Sequence, residues 1–276
     1  MHALTAAEAM DVWEAGQAQS LTRRALLLLS AGCGEPAGRL SELSIGQRDA
    51  RLLRLREQTF GARIECLLAC PDCGEQLELE FQVADILVNQ DANLQRNPDT
   101  IALSEPEAAA GPGNGIGQAE VLPGSGAGGP VALQIDGYRL QFRLPNSLDL
   151  LAVTECQAGP PARRQLLERC LVAIERDSQA QPVGDLPNHV ADALAERMAA
   201  ADPQADVQLK VECPGCGCRW QAAFDIVSFF WSELNSWAQH TLYEVHTLAW
   251  AYGWSEAEIL GLSAWRRRCY LEMVKG

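Results

Sequence analysis

Two short cysteine motifs contain the residues of this chain best suited to chemistry. Cys70 and Cys73 lie in the sequence CPDCG, and Cys213 and Cys216 lie in its near copy CPGCG. Each motif places two thiols on one side of a tight turn, and four thiolates are a common tetrahedral ligand set for Zn²⁺. Proline and glycine shape such a turn so that backbone N–H groups can orient the sulfurs. We therefore predict one structural zinc site with these four cysteines as its ligands.

The separation of the two motifs is unusual for a compact zinc ribbon. Cys213 follows Cys73 by 140 positions, but the entropy of closing a loop grows only slowly with its length. Three other chemistries stay open at this point, although structural zinc is favoured. A catalytic zinc normally keeps one position for water, a redox C-x-x-C normally begins a helix after a strand, and iron–sulfur motifs normally have closer cysteines.

Alternating apolar residues on both sides of each motif predict β-strands. Residues 64, 66 and 68 alternate before CPDC, and 77, 79 and 81 alternate after it. The same pattern surrounds CPGC, with 207, 209 and 211 before it and 220, 222 and 224 after it. Period-two alternation interrupted by a turn is typical of a hairpin. The prediction is an α+β fold in which two distant CPxCG hairpins form a zinc ribbon, with flanking helices and a partly flexible insertion.

Helices account for most of the remaining chain. The predicted helices are 3–17, 20–31 with Ser20 as N-cap, Ser44–Gly61, SLDLLAVTEC, ARRQLLERCLVAIERD, LPNHVADALAERMAAADP, Ile226 to about Tyr252, a short helix begun by the capping box Ser255–Glu258, and AWRRRCYLEMV capped by Ser263. Serine N-caps and glycine C-caps set several of these boundaries. Asp136–Gly137 between two apolar runs predicts a further hairpin.

The domain organisation follows from these elements. The six predicted segments are a helical segment (1–61), the first zinc-knuckle hairpin (62–84), an insertion with a Gly/Ala/Pro-rich flexible loop (85–130), a hairpin plus helical subdomain (131–206), the second zinc-knuckle hairpin (207–225) and a C-terminal helical segment (226–276). The loop is predicted to be flexible because it has too little apolar surface to offset the entropy of ordering it.

The other cysteines are not predicted to be ligands. Superposing the motifs aligns Cys218 with Glu75, which indicates a solvent-facing turn position. The remaining cysteines lie in apolar contexts and are predicted to be small core residues: Cys33, Cys66, Cys156, Cys170 and Cys269.

Composition and charge limit the classes of function. The 276-residue chain is 47% hydrophobic and has a formal net charge of −14, which argues against general nucleic-acid binding because phosphate contacts need clustered Lys and Arg. RRALLLLSAGC has too short an apolar run for a signal peptide and is predicted to be an amphipathic helix. No stretch is long and apolar enough for a membrane span. We expect a cytoplasmic protein with reduced thiols.

Motifs for enzymatic chemistry are weak in this sequence. His240 and His246 are six positions apart and do not share a helix face, and no P-loop, kinase or nucleophile-elbow signature is found. We therefore predict that the chain is not an enzyme and has no small-molecule substrate.

Several stretches together resemble the T4-type baseplate hub assembly proteins of contractile phage tails and bacterial contractile injection systems. They are LSIGQRDARLLRLREQTFGARIECLLACPDCGEQLEL, GYRLQFRLPNSLDLLAV, CPGCG and FFWSELNSWAQHTLYEVHTLAWAYGWSEAEILGLSAWRRRCYLEMV. The resemblance covers most of the chain outside the first forty residues and the Gly-rich stretch, and EVHTLAWAYGWSEAEILGLS is its most specific part. It implies a non-enzymatic assembly factor or minor structural component of a baseplate hub, with hub or spike proteins as partners.

A partner surface is predicted near the C-terminus. Aromatic and arginine side chains are common interface anchors, and the candidates are Trp254, Trp265, Arg266 and Arg267. The alternative function is a zinc-ribbon adaptor in a nucleic-acid transaction complex, which the acidic composition disfavours.

Overall fold

The computed structural model describes residues 1–88, 131–154, 160–176, 179–182 and 186–275. The chain folds into two compact units. Unit 1 comprises Met1–Ile86, Asn146–Leu148 and Gln204–Gly276. Unit 2 comprises Leu87–Pro145 and Asp149–Pro203. The predicted α+β class is confirmed. The Gly/Ala/Pro-rich stretch lies outside the described residues, and the boundaries of the six predicted segments stay a prediction.

Helices and hairpins alternate along the chain. The helices are α1 (Ala6–Gly16), α2 (Leu21–Cys33), α3 (Ala37–Ser41), α4 (Ile45–Phe60), α5 (Val83–Ile86), α6 (Ser147–Thr154), α7 (Pro160–Cys170), α8 (Asn188–Ala201), α9 (Ile226–Tyr252), α10 (Glu256–Leu260) and α11 (Ala264–Lys275). The strands are β1 (Arg63–Ala69), β2 (Gln76–Gln82), β3 (Val131–Ile135), β4 (Tyr138–Phe142), β5 (Leu171–Arg176), β6 (Gln179–Ala180), β7 (Val207–Glu212) and β8 (Arg219–Phe224). No helix in the described residues is both long and apolar enough to cross a membrane.

Local side-chain chemistry sets the helix ends. Ser44 and Gln47 form a reciprocal capping box at the start of α4, and Gly61 ends the helix with φ 96°. Asp225 accepts a hydrogen bond from a backbone N–H at the start of α9, and Gly253 ends that helix in the left-handed region with φ 70°. Glycine adopts these positive φ values without the steric penalty of a Cβ. The sequence therefore specified these boundaries through short-range interactions.

The core of unit 1 is formed by helices. Helix α9 packs against α1, α2, α4, α10 and α11, and the apolar run of α2 is buried inside, which confirms that it forms an amphipathic helix. The largest fully buried side chains of this core are Leu28, Leu29, Leu40, Leu52, Leu53, Leu55, Phe230 and Leu234.

A buried ion pair joins two helices of unit 1. Arg56 of α4 donates two hydrogen bonds to the Glu233 carboxylate of α9, at 2.8 and 2.6 Å. Arg56 also donates to the carbonyl oxygens of Gly61 and Arg63. The Arg56 side chain is 3% exposed and that of Glu233 is 28% exposed, so loss of Glu233 would leave a buried guanidinium without its carboxylate partner.

Unit 2 contains a four-stranded antiparallel sheet in the order β3–β4–β5–β6. The hairpin predicted at Asp136–Gly137 is confirmed, and both residues have positive φ, 47° and 80°. Helix α8 contributes buried side chains to the core beside the sheet. The most buried members of that core are Leu140, Phe142, Cys170, Ile174, Val190 and Leu194.

The prediction of one continuous helix over ARRQLLERCLVAIERD is wrong in its second half. Helix α7 ends at Cys170, and the next six residues form β5, which pairs with β4. Val172 and Ile174 are β-branched, a side-chain type that is favoured in strands. Pairing with β4 supplies backbone hydrogen bonds that the local sequence pattern does not reveal. Tertiary context therefore overrode the helical periodicity.

Candidate metal centre

The two cysteine motifs have the same backbone structure. In the first, the N–H of Cys70 donates to the carbonyl of Glu75 at 2.8 Å, and that of Gly74 donates to the carbonyl of Cys70 at 2.9 Å. The second motif repeats both bonds with Cys213, Cys218 and Gly217. Gly74 and Gly217 have φ values of 75° and 73°, a conformation that favours glycine. Each motif is therefore a rigid turn between two paired strands.

The four predicted ligands converge on one point. The sulfur atoms of Cys70, Cys73, Cys213 and Cys216 all lie within 4.8 Å of one another. The distances from Cys70 to Cys216 and from Cys73 to Cys213 are both 3.6 Å. A tetrahedron with Zn–S bonds of about 2.3 Å has sulfur–sulfur edges of about 3.8 Å. The cluster therefore has the size that a tetrathiolate site requires.

An apolar layer lies beside the sulfurs. Leu77 and Val211 are buried against Cys70 and Cys213. The half-buried side chains that pack on this group are Leu68, Leu79, Leu209, Cys218, Trp220 and Ala222. Cys70 and Cys213 are buried, whereas Cys73 and Cys216 are exposed. Ligand exchange with solvent would thus take place from one side of the cluster.

The close packing of the four thiols affects their protonation. The backbone N–H of Cys73 is the main cause that lowers the pKa of Cys70 to about 6. The Cys218 amide also lowers the pKa of Cys216, but burial and the neighbouring thiols outweigh it and raise this pKa to about 12. Thiolates this close repel one another. Ionisation of all four needs a compensating positive charge, and soft sulfur donors suit Zn²⁺.

Glu75 and Cys218 occupy equivalent positions on opposite sides of the cluster. The Cys213 thiol donates to the Glu75 carboxylate at 3.5 Å. Cys218 is half-buried, and its pKa is raised by burial and by the charge of Cys70. The prediction that Cys218 faces solvent is therefore wrong, because its side chain packs onto the opposite knuckle. Aligning the two motifs already paired Glu75 with Cys218, because each residue follows its own motif. In the structure, each of them contacts the opposite motif.

The remaining cysteines show no second cluster among the described residues. Cys33, Cys66 and Cys269 are half-buried, and Cys170 is fully buried. Burial, followed by the charge of Asp149, raises the pKa of Cys170 to about 11, so this thiol is a poor nucleophile at neutral pH. Cys156 lies outside the described residues.

The predicted partner-binding residues are placed in two different environments. Trp265 is 73% exposed, and Arg266 is exposed. Arg267 is buried and bonded to Glu244 at 2.9 Å, while Trp254 is half-buried and stacks on Tyr252. Partner binding by these residues stays a prediction.

A family model described as T4 bacteriophage base plate protein matches residues 3–231. The chain belongs to this family. The match confirms the resemblance to baseplate proteins, with a different extent. It includes the first forty residues, which the resemblance left out, and it ends within α9, before the C-terminal stretch on which the resemblance depended most. The comparisons with curated proteins and with solved structures gave no match.

Both cysteine motifs of this base plate family member lie inside the matched range. So do the helices α1, α2 and α4 and the first turns of α9. Helices α10 and α11, with the exposed Trp265 and Arg266, lie beyond it. The cysteine cluster is thus part of the region shared with the family, whereas the C-terminal surface lies outside that region.

Proposed function

We propose that the chain is a non-enzymatic assembly factor or minor structural component of a baseplate hub in a contractile tail or injection system. Its partners would be hub or spike proteins, and it would act in the cytoplasm during assembly. The observation that carries this proposal is the family match over residues 3–231.

The proposed cofactor is one structural Zn²⁺ held by Cys70, Cys73, Cys213 and Cys216. The sulfur distances and the soft donor set support it. When bound, the ion would supply the positive charge that four close thiolates need. Four cysteine ligands leave no coordination position for water, so a structural role is favoured over a catalytic one. The ion would tie β1–β2 to β7–β8 and so hold two distant parts of the chain together.

A co-purification experiment tests the function. The tagged full-length chain is co-expressed with hub and spike proteins of the same particle and separated by size-exclusion chromatography. We expect a complex of defined stoichiometry with at least one of them. Separate elution, together with normal particle assembly in cells that lack the chain, would contradict the proposal. Salt-sensitive retention of DNA or RNA by the purified chain would favour the nucleic-acid adaptor instead.

The metal is tested on the same preparation. Elemental analysis of protein purified with reductant should give one zinc per chain. A chelator should remove the zinc and lower the melting temperature, and added Zn²⁺ should restore both, because metal binding is coupled to folding. Iron and inorganic sulfide in place of zinc would identify an iron–sulfur cluster.

A further inference from the structure

One face of helix α11 packs against other parts of the protein. The Arg267 guanidinium donates to the Glu244 carboxylate of α9 at 2.9 Å and to the carbonyl of Leu262 at 2.8 Å. Tyr270 lies edge-on to Trp254, with ring centroids 4.9 Å apart. The ion pair and the ring contact hold α11 in one orientation. The side chains on its other face are therefore directed away from α9.

The outer face of α11 exposes large apolar side chains. Trp265 is 73% exposed and Met273 is 69% exposed, and the half-buried Cys269 lies between them. At 3.6 residues per turn, positions four and eight apart fall on the same side of a helix. Tryptophan and methionine are enriched at the centres of protein interfaces. An apolar ridge of this kind on a fixed helix is typical of a docking surface.

Positive charge flanks this ridge. Arg266 and Arg268 are both exposed, and within the described residues neither side chain has an ion pair. The third arginine of α11, Arg267, is paired with Glu244, so Arg266 and Arg268 face the exposed Glu272 alone and give this face a small positive excess, although the whole chain has a net charge of −14. This local excess attracts an acidic surface and would be complementary to it.

We propose that the outer face of α11, formed by Trp265, Arg266, Arg268 and Met273, docks onto a locally acidic surface of another baseplate protein. The inference rests on the proposed function and names the chemistry of the partner. Trp265 is its central anchor, and the two arginines select the acidic surface. A second copy would bring the same net charge of −14 and be repelled at long range. Two exposed arginines beside one glutamate are fewer than the clustered Lys and Arg that phosphate contacts need, which disfavours nucleic acid.

The experiment measures binding of full-length variants to each purified hub and spike protein. Trp265→Ala should weaken the Kd about thirtyfold or more, as expected for an interface tryptophan. The double variant Arg266→Glu/Arg268→Glu should weaken it at least as much and flatten its dependence on salt. The matched controls are Trp250→Ala, which removes a tryptophan 87% exposed on α9, and Arg54→Glu, which reverses an exposed charge on α4.

The Kd of both control variants should stay within about twofold of the wild-type Kd, a change far smaller than that caused by losing an anchor residue. Unchanged zinc content and melting temperature would show that all variants are folded. If wild type binds and the α11 variants bind equally well, the docking surface is elsewhere and the inference fails while the proposed function stands. If wild type binds no hub or spike protein, the inference fails, and the proposed function fails with it when particles also assemble normally in cells that lack the chain.

Two further outcomes would overturn the inference in favour of another occupant. One is a dimer of the wild type in light scattering that Trp265→Ala converts to a monomer. The other is tight binding of a fluorescent single-stranded oligonucleotide that Arg266→Glu/Arg268→Glu abolishes. Either result assigns the surface to a second copy or to nucleic acid.

Discussion

The sulfur atoms of Cys70 and Cys216 lie 3.6 Å apart, although the two residues are 146 positions apart in the sequence. Cys73 and Cys213 repeat this relationship. Each contact joins one hairpin to the other, and β1–β2 and β7–β8 are separate two-stranded sheets. Backbone ladders therefore do not connect the hairpins. The cysteines, their small apolar layer and an edge-to-face contact between Phe81 and Phe224 do. A two-stranded hairpin alone is only marginally stable, so the association should depend strongly on the metal.

Replacing a ligand should reduce zinc content and stability together. Cys70→Ser or Cys213→Ser removes one thiolate and should lower the free energy of unfolding by about 3 kcal/mol or more, since metal binding contributes folding energy. Elemental analysis and thermal unfolding measure the two effects. Cys33→Ser, at a half-buried thiol at the end of α2, is the control and should keep its zinc. Wild-type zinc content in both ligand variants would rule out the shared site.

Cys218→Ser should leave zinc content unchanged. Cys218 packs beside the cluster but is not one of the four converging sulfurs. Loss of this half-buried contact should cost about 1 kcal/mol or less, which chemical denaturation would detect. A parallel loss of zinc would instead show that Cys218 replaces one of the four proposed ligands.

Arg56→Met should be strongly destabilising. It leaves the Glu233 carboxylate and two carbonyl oxygens without the buried guanidinium that they contact, a loss of about 1–3 kcal/mol. Arg54→Met removes an exposed arginine from the same helix and should change stability by about 0.5 kcal/mol or less. Guanidinium unfolding monitored by tryptophan fluorescence compares them, and equal midpoints would contradict the structural role of the ion pair.

Gly16→Ala and Gly38→Ala should have opposite effects. A Cβ on Gly16 would lie 2.2 Å from the Trp231 ring, whereas nothing lies within 4 Å of a Cβ on Gly38. Crowding the buried Trp231 should cost about 1–3 kcal/mol. Alanine at position 38, in the exposed part of α3, should stabilise by up to about 1 kcal/mol. Thermal unfolding of the two variants gives the sign of each change in stability. Destabilisation by Gly38→Ala would contradict the finding that the surface around Gly38 has room for a Cβ.

Much of the secondary structure could be predicted from the sequence because short-range interactions decide it. Ser44, Gly61 and Gly253 are caps whose function depends on neighbours within one turn. The turn at Asp136–Gly137 is equally local. The strand at Leu171–Arg176 could not be predicted, because its stability comes from pairing with β4, which lies some 30 positions earlier in the chain.

The sequence by itself determined the two cysteine turns, because proline, glycine and two thiols at fixed spacing specify each turn locally. Only the tertiary structure decided that the turns meet, and that Cys218 and Glu75 lie against opposite knuckles. It also separated Arg267, buried against Glu244, from the exposed Arg266 and Arg268. Three consecutive arginines have the same local chemistry. The helix itself points each of them in a different direction, and packing against α9 decides which one makes a structural contact and which ones stay exposed.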